Sequence, residues 1–274
     1  MSRDVACYIQ NCYKETRMSS VSSVNRTTEL TPYTSGGRVD PFAIYQLNFD
    51  AMGGEKNVKW HSTFHYKGEI NLGGATFDIE EFISKPLRSL RILSSNFQVL
   101  HRLGDDGRNI WAFQNDNLTK FDDSDSPERE VRRLWDDFSY TDPKCKVFTS
   151  TAGRKISIDG VQTYEITIKN RKTDEIVTHY YDAETFLLRR EMRETRTNKT
   201  QTDFSDYRQV GNVKMAFQRE TLFHNTGNRQ TINWNSITPG VYISDSRFRA
   251  PEDPNAPDEL ASFLGVGQNL NRWA

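Results

Sequence analysis

Two histidines four residues apart, His61 and His65, are the first residues that could do chemistry, since such a pair on a helix can share a metal ion. They fall instead in an alternating run from Val58 to Leu72, and on a strand that spacing separates them by about 13 Å, beyond a common ion. They share the polar parity with Lys59, Lys67 and Glu69, so they read as solvent-facing. His101 and His179 stand in strand-like runs without a Cys or carboxylate at ligand spacing. The acidic pairs Asp105-Asp106, Asp122-Asp123 and Asp136-Asp137 could act as general acid and base. Each falls in an expected turn or on a solvated helix face, with no nucleophile and partnered base beside it. The G-x-S-x-G, phosphate-loop and dinucleotide fingerprints do not occur. Cys7, Cys12 and Cys145 match no zinc spacing and leave at least one thiol unpaired. These residues point away from catalysis, from a cofactor and from a bound metal.

What the sequence concentrates is aromatic surface. Trp60, Phe64, Tyr66, Phe77, Trp111, Phe113, Tyr164, Tyr180, Phe217 and Trp234 share strand parity with aliphatic residues and are expected to face inward. Such a stripe is either plain core or the lining of a ligand cavity, and the residues alone leave both open. A net charge of −1, from 36 basic and 37 acidic residues, gives no overall field for nucleic acid or an anionic membrane. No apolar run approaches the roughly 20 residues of a membrane helix. Met1 to Cys12 lacks the apolar stretch of a secretory signal.

The elements that must position these aromatics are mostly strands. Val58 to Leu72 is expected as one long half-buried strand; Gly73-Gly74 turns it into a second, ended by Lys85-Pro86. Leu90 and Ile92, Phe97 and Val99, then Ile110 to Phe113 give three more, with Asp106-Gly107 as a hairpin turn. From Gly153 to Pro251 come further antiparallel strands, turned at Asp159-Gly160 and at Asp182 to Thr185 and closed by D-S-R-F-R-A-P. Asp40-Pro41 starts a short helix whose Phe42, Tyr45, Phe49 and Met52 share a stripe before Gly53-Gly54 stop it. Ser126-Pro127 opens a second helix, with Val131, Leu134, Trp135 and Phe138 at helical spacing. The expected fold is mainly β (α+β): one curled antiparallel sheet of about ten or eleven strands, forming an incomplete barrel. The two helices plug or lid its mouth, with Phe42, Tyr45, Phe49 and Trp135 as the lid contacts. Residues 1–39 read as a flexible leader, 40–251 as one domain and 252–274 as a tail.

Several runs in this order resemble the LolA/LolB-like outer-membrane lipoprotein-sorting superfamily, and more closely its broad branch of envelope proteins. They are A-M-G-G-E-K at 51–56, D-G-R-N-I-W at 106–111, I-D-G-V-Q-T-Y-E-I-T-I at 158–168, Y-Y-D-A-E-T-F-L-L-R-R at 180–190, F-S-D-Y-R-Q-V-G-N-V-K-M-A-F at 204–217 and D-S-R-F-R-A-P at 245–251. Phe186 stands where members commonly have Gly, and Ala216 where they have Pro. The resemblance implies a helix-covered half-barrel with an apolar cavity for the acyl chains of a lipid or lipidated protein, working without catalysis in the periplasm or cell envelope. An envelope protein docked on a filled barrel is the alternative partner, and an enzyme site in the barrel mouth ranks last.

Overall fold

The computed structural model describes residues 31–34, 38–114, 117–122 and 126–251. The expected leader, apart from a few residues before Asp40, and the expected tail lie outside them. Helix α1 is Pro41–Ala51, α2 Glu55–Trp60 and α3 Pro127–Asp136. The first six strands are β1 Thr63–Leu72, β2 Ala75–Ser84, β3 Arg88–Ser95, β4 Gln98–Asp105, β5 Asn109–Gln114 and β6 Asn117–Asp122. The remaining seven are β7 Phe148–Ile158, β8 Val161–Asn170, β9 Ile176–Asp182, β10 Leu188–Glu194, β11 Lys199–Val210, β12 Val213–Phe223 and β13 Asn228–Pro239.

All thirteen strands form one antiparallel sheet in the order β6-β5-β4-β3-β2-β1-β13-β12-β11-β10-β9-β8-β7. The two halves of the chain are meanders, because each turn is short, and they are zipped together by β1 against β13. β6 and β7 are left as free edges, so the barrel is incomplete. Its curl follows from α3. Arg129 near the start of this ten-residue helix bonds Asp105 on β4, while Trp135 near its end packs on His179 of β9 and Arg193 of β10. β4 and β10 are seven positions apart in the strand order, about 33 Å if the sheet were flat. The helix itself is only about 15 Å long, so the sheet must bend around it. The side carrying α1 and α3 is therefore the inner face.

Both long helices start as their sequences dictate. The Asp40 carboxylate accepts from the Phe42 N–H ahead of Pro41, and the Ser126 hydroxyl accepts from the Arg129 N–H ahead of Pro127. Ile44 and Tyr45 of α1 pack on β7 to β9, whereas Phe49 meets Val58 and Val213, so α1 is covered on more than one side. Gly53 has a φ of +113°, and a Cβ there would lie 2.1 Å from the Asn212 carbonyl oxygen, which fixes how closely α1's exit approaches the β11–β12 turn.

Three expectations are corrected. The strand foreseen from Val58 begins only at Thr63, because Glu55 to Trp60 continue as helix α2 after the left-handed Gly53 and Gly54. D-S-R-F-R-A-P closes no strand; Asp245–Phe248 is a single 3-10 turn. The sheet also exceeds the ten or eleven strands expected, since β6 carries no clear alternation and β7 begins at Phe148, before Gly153.

Candidate functional site

The inner face is built in three parts, and α3 straps one of them. Arg129, only 4% exposed, sends both terminal nitrogens to the Asp105 carboxylate at 3.0 Å, and Arg132 adds its own contact to it at 2.9 Å. Lys172, from the β8–β9 turn, holds Glu130 of the same helix at 2.6 Å. At the far end the Leu87 N–H donates to the Asp136 carboxylate at 2.9 Å. Four polar ties from three separate turns and strands thus fix the helix, with Val131 and Trp135 as its apolar anchors. A buried pair of this kind is costly to break from one side, since the remaining charge is left stranded.

Beneath Trp135 lies a buried ionic network. His179, 3% exposed on β9, has the Tyr181 hydroxyl 3.0 Å from Nδ1 and a Glu191 carboxylate oxygen 3.1 Å from Nε2. Arg193 donates to Glu191 at 3.2 Å and to Glu175, and its guanidinium covers the Trp135 ring. Burial pushes the Glu191 carboxyl up, but the His179 bond and the Arg193 charge outweigh it and bring it from 4.5 down to about 2. Burial pushes the Tyr45, Tyr140 and Tyr181 hydroxyls well up, so these rings stay neutral. An open groove of about 930 Å³ runs between α3 and the turns at Lys172–Glu175 and Thr195–Thr197.

The middle of the inner face is aromatic and buried. Phe64, Tyr66, Ile70, Ile79, Phe217 and Trp234 pack together across β1, β2, β12 and β13, with Phe77 at the margin. The Tyr66 and Trp234 ring centroids are 5.1 Å apart, and Phe64 and Tyr66 5.9 Å. Burial pushes the Tyr66 hydroxyl up to about 12, against the pull of the nearby Arg219. These rings therefore interlock on one another. A second groove, of about 680 Å³, opens at the lower rim among Leu72, Phe223 and Gln230.

Of the ten aromatics expected to face inward, Phe64, Tyr66, Phe77, Phe217 and Trp234 come together here. Tyr164 faces inward too, but in the cluster under α1. The other four are corrections. Trp60 ends α2 and is 76% exposed. Tyr180 faces outward, because its neighbour Tyr181 is the residue paired with Tyr164 and stacked edge-on against Tyr45. Trp111 and Phe113 lie on the outer face. Register carries Trp111 through Gly104, Leu90 and Phe82 to His65, whose side chain points opposite to Tyr66. There Trp111 donates from Nε1 to the Phe248 carbonyl, 2.8 Å away, and the 3-10 turn covers it. Of the four residues expected to form a lid, Phe42 and Tyr45 pack on the β7–β9 cluster, Phe49 beside Phe138 and Trp135 over the His179 network.

Two polar residues were undervalued by sequence spacing. Asp105, read as a solvated turn residue, is 3% exposed and is the anchor of α3. His179 does have a carboxylate, Glu191, but it stands opposite on the next strand, where only the β9–β10 register could reveal it. Among the described residues no group of three or more His, Cys, Asp or Glu side chains is placed to hold a metal, and no helix is long and apolar enough to cross a membrane.

No family model and no curated protein matches the chain. Solved structures do. A DUF1329 family protein from Desulfovibrio piger superposes with a TM-score of 0.54 at 16% identity, covering 77% of this chain and 98% of that one. An outer membrane lipoprotein-sorting protein domain from Vibrio parahaemolyticus gives 0.51 at 12% identity, covering 76% and 95%. A LolA superfamily protein from Nitrosomonas europaea follows at 0.49 and 9%, covering 73% and 98%. At these identities the likeness is one of fold: the incomplete antiparallel barrel, expected from the sequence, is shared with the first two of these structures.

Proposed function

We propose that this chain is a non-catalytic carrier of the cell envelope that shelters the apolar part of a lipid or lipidated protein on the inner face of its half-barrel. The observation that carries the reading is the contrast between that face and its strap. The face presents adjoining aromatic and aliphatic side chains from Phe64 to Trp234, while α3 is held across the open side by ion pairs and single hydrogen bonds. When α3 lifts, both partners of each tie return to water together and no charge is left stranded, so the opened face can admit a chain that wedges between the interlocked rings. Each sheltered methylene is worth about 0.8 kcal/mol, so a partly enclosed acyl chain is held firmly in water. The likeness in fold to an outer membrane lipoprotein-sorting protein domain supports both the ligand class and the address.

Native mass spectrometry of the purified protein tests this: a co-purifying lipid mass, lost after organic extraction, is expected. A protein that stays ligand-free and takes up no acyl chain from vesicles defeats the reading. One observation favours docking of an envelope protein as a second reading. Phe97, Leu103 and Phe121, 93%, 39% and 51% exposed, lie on β4, β6 and the turn before β4, beside the unpaired β6 edge.

A further inference from the structure

The buried carboxylates of the inner face are each held by a cation. Glu81 is bound by Arg91, Asp105 by Arg129, and Glu191 by His179 and Arg193. Arg219 of β12 also faces inward, since it pairs with Ile232 in the central cluster, yet no ion pair to it exists among the described residues. Its neighbours are the Phe204 ring, 5.8 Å from the guanidinium carbon, and the Tyr66 hydroxyl. Its Nε is buried without an acceptor. The same holds for Nε1 of Trp234, a residue 2% exposed that lies diagonally across the β12–β13 ladder from Arg219 on the same face. Buried donors are nearly always bonded, because an unmet N–H costs about 1–3 kcal/mol. Two of them on diagonally neighbouring positions of one face, one on a cation, describe a place for an anionic oxygen.

The surroundings give that anion an orientation. Below Arg219 the inward rows of β11 and β12 are polar, with the Thr202 and Thr221 hydroxyls 3.2 Å apart, and they lead to the groove at Leu72, Phe223 and Gln230. Above it the rows turn apolar at Phe217, Tyr66 and Phe64. The rim at Phe223 is four residues from Arg219, about 14 Å along the strand. We propose that Arg219 and Trp234 form a head-group site for an anionic amphiphile, a long-chain carboxylate, whose chain lies upward against Phe217 and Phe64. This rests on the carrier reading and deepens it: the protein selects its ligand by charge as well as by grease.

The test is calorimetric titration of the whole protein at pH 8 with laurate, dodecanol and acetate. Laurate should bind at least about tenfold more tightly than dodecanol, as expected for a charge-assisted bond out of water, and acetate not measurably. Arg219→Gln should bring laurate to within about twofold of dodecanol while leaving dodecanol unchanged. Trp234→Phe keeps the ring packing, guards against a misfolded Arg219 variant, and should weaken laurate about fivefold. Equal binding of laurate and dodecanol by the wild type overturns the head-group site and leaves the carrier intact. Failure of both twelve-carbon ligands to bind overturns the two together, and so does acetate binding as well as laurate.

Discussion

The two ends of the sheet solve the same burial problem on opposite sides. At the β7–β10 end the inner face is covered, by α1 and α3, over a floor that includes buried ions. At the β2–β5 end the covered face is the outer one, where Phe82, Leu90, Trp111 and Phe113 meet the 3-10 turn around Phe248. The first cover joins apolar packing of Ile44, Tyr45 and Val131 to several ion pairs, whereas the second rests on a fully buried Phe248 and one indole bond, with an exposed pair between Arg88 and Asp245. On the carrier reading proposed above, the first end is the one that opens and the second the one that stays.

The largest effect should come from the end that stays. Trp111→Ala removes a large ring and its hydrogen bond, and should cost about 3–5 kcal/mol in urea unfolding. Its α3 amides should keep their hydrogen-exchange protection; if they lose it, the ends are not independent. Asp105→Ala strands the Arg129 charge and should cost about 3 kcal/mol. Here protection should fall first in α3, with β2 to β5 still slow to exchange. Glu191→Gln acts on the floor beneath the strap. Because the folded pKa of Glu191 is depressed from 4.5 to about 2, its contribution is present above pH 4.5 and is lost as pH falls toward 2. That contribution is on the order of 3 kcal/mol. Wild type and Glu191→Gln should therefore differ at pH 7 and converge near pH 2, and parallel stability curves would remove Glu191 from the network. Smallest of all, Trp60→Ala should shift stability by less than about 0.5 kcal/mol, as befits an exposed side chain.

Much of this architecture was legible because period-2 alternation and turn residues are local signals. The Asp159-Gly160 hairpin, the Asp40-Pro41 and Ser126-Pro127 helix starts and the half-barrel itself were read from neighbours in sequence. Alternation says that a strand has two faces but not which one turns inward, and parity cannot be carried across a turn without the register. Trp111, Phe113 and Tyr180 were misplaced for that reason. β2 shows the difficulty most plainly, since Ile79 and Phe82 are both buried yet point to opposite sides. Trp60 was lost to a different competition, in which the glycines at 53 and 54 restarted a helix that a strand pattern also fitted. Asp105 and His179 take their roles from partners 24 and 12 residues away, a distance that composition and spacing do not span.

The ladder of β1 against β13 joins residues near both ends of the described chain, from Phe64 with Pro239 to Leu72 with Gln230. The covalent link between the two halves, by contrast, runs through α3, at the gap between the free edges. Severing the backbone just ahead of Ser126 would release two fragments that meet along the whole central seam. Such fragments should reassemble when mixed, and new termini placed at that gap should be tolerated in a permuted chain.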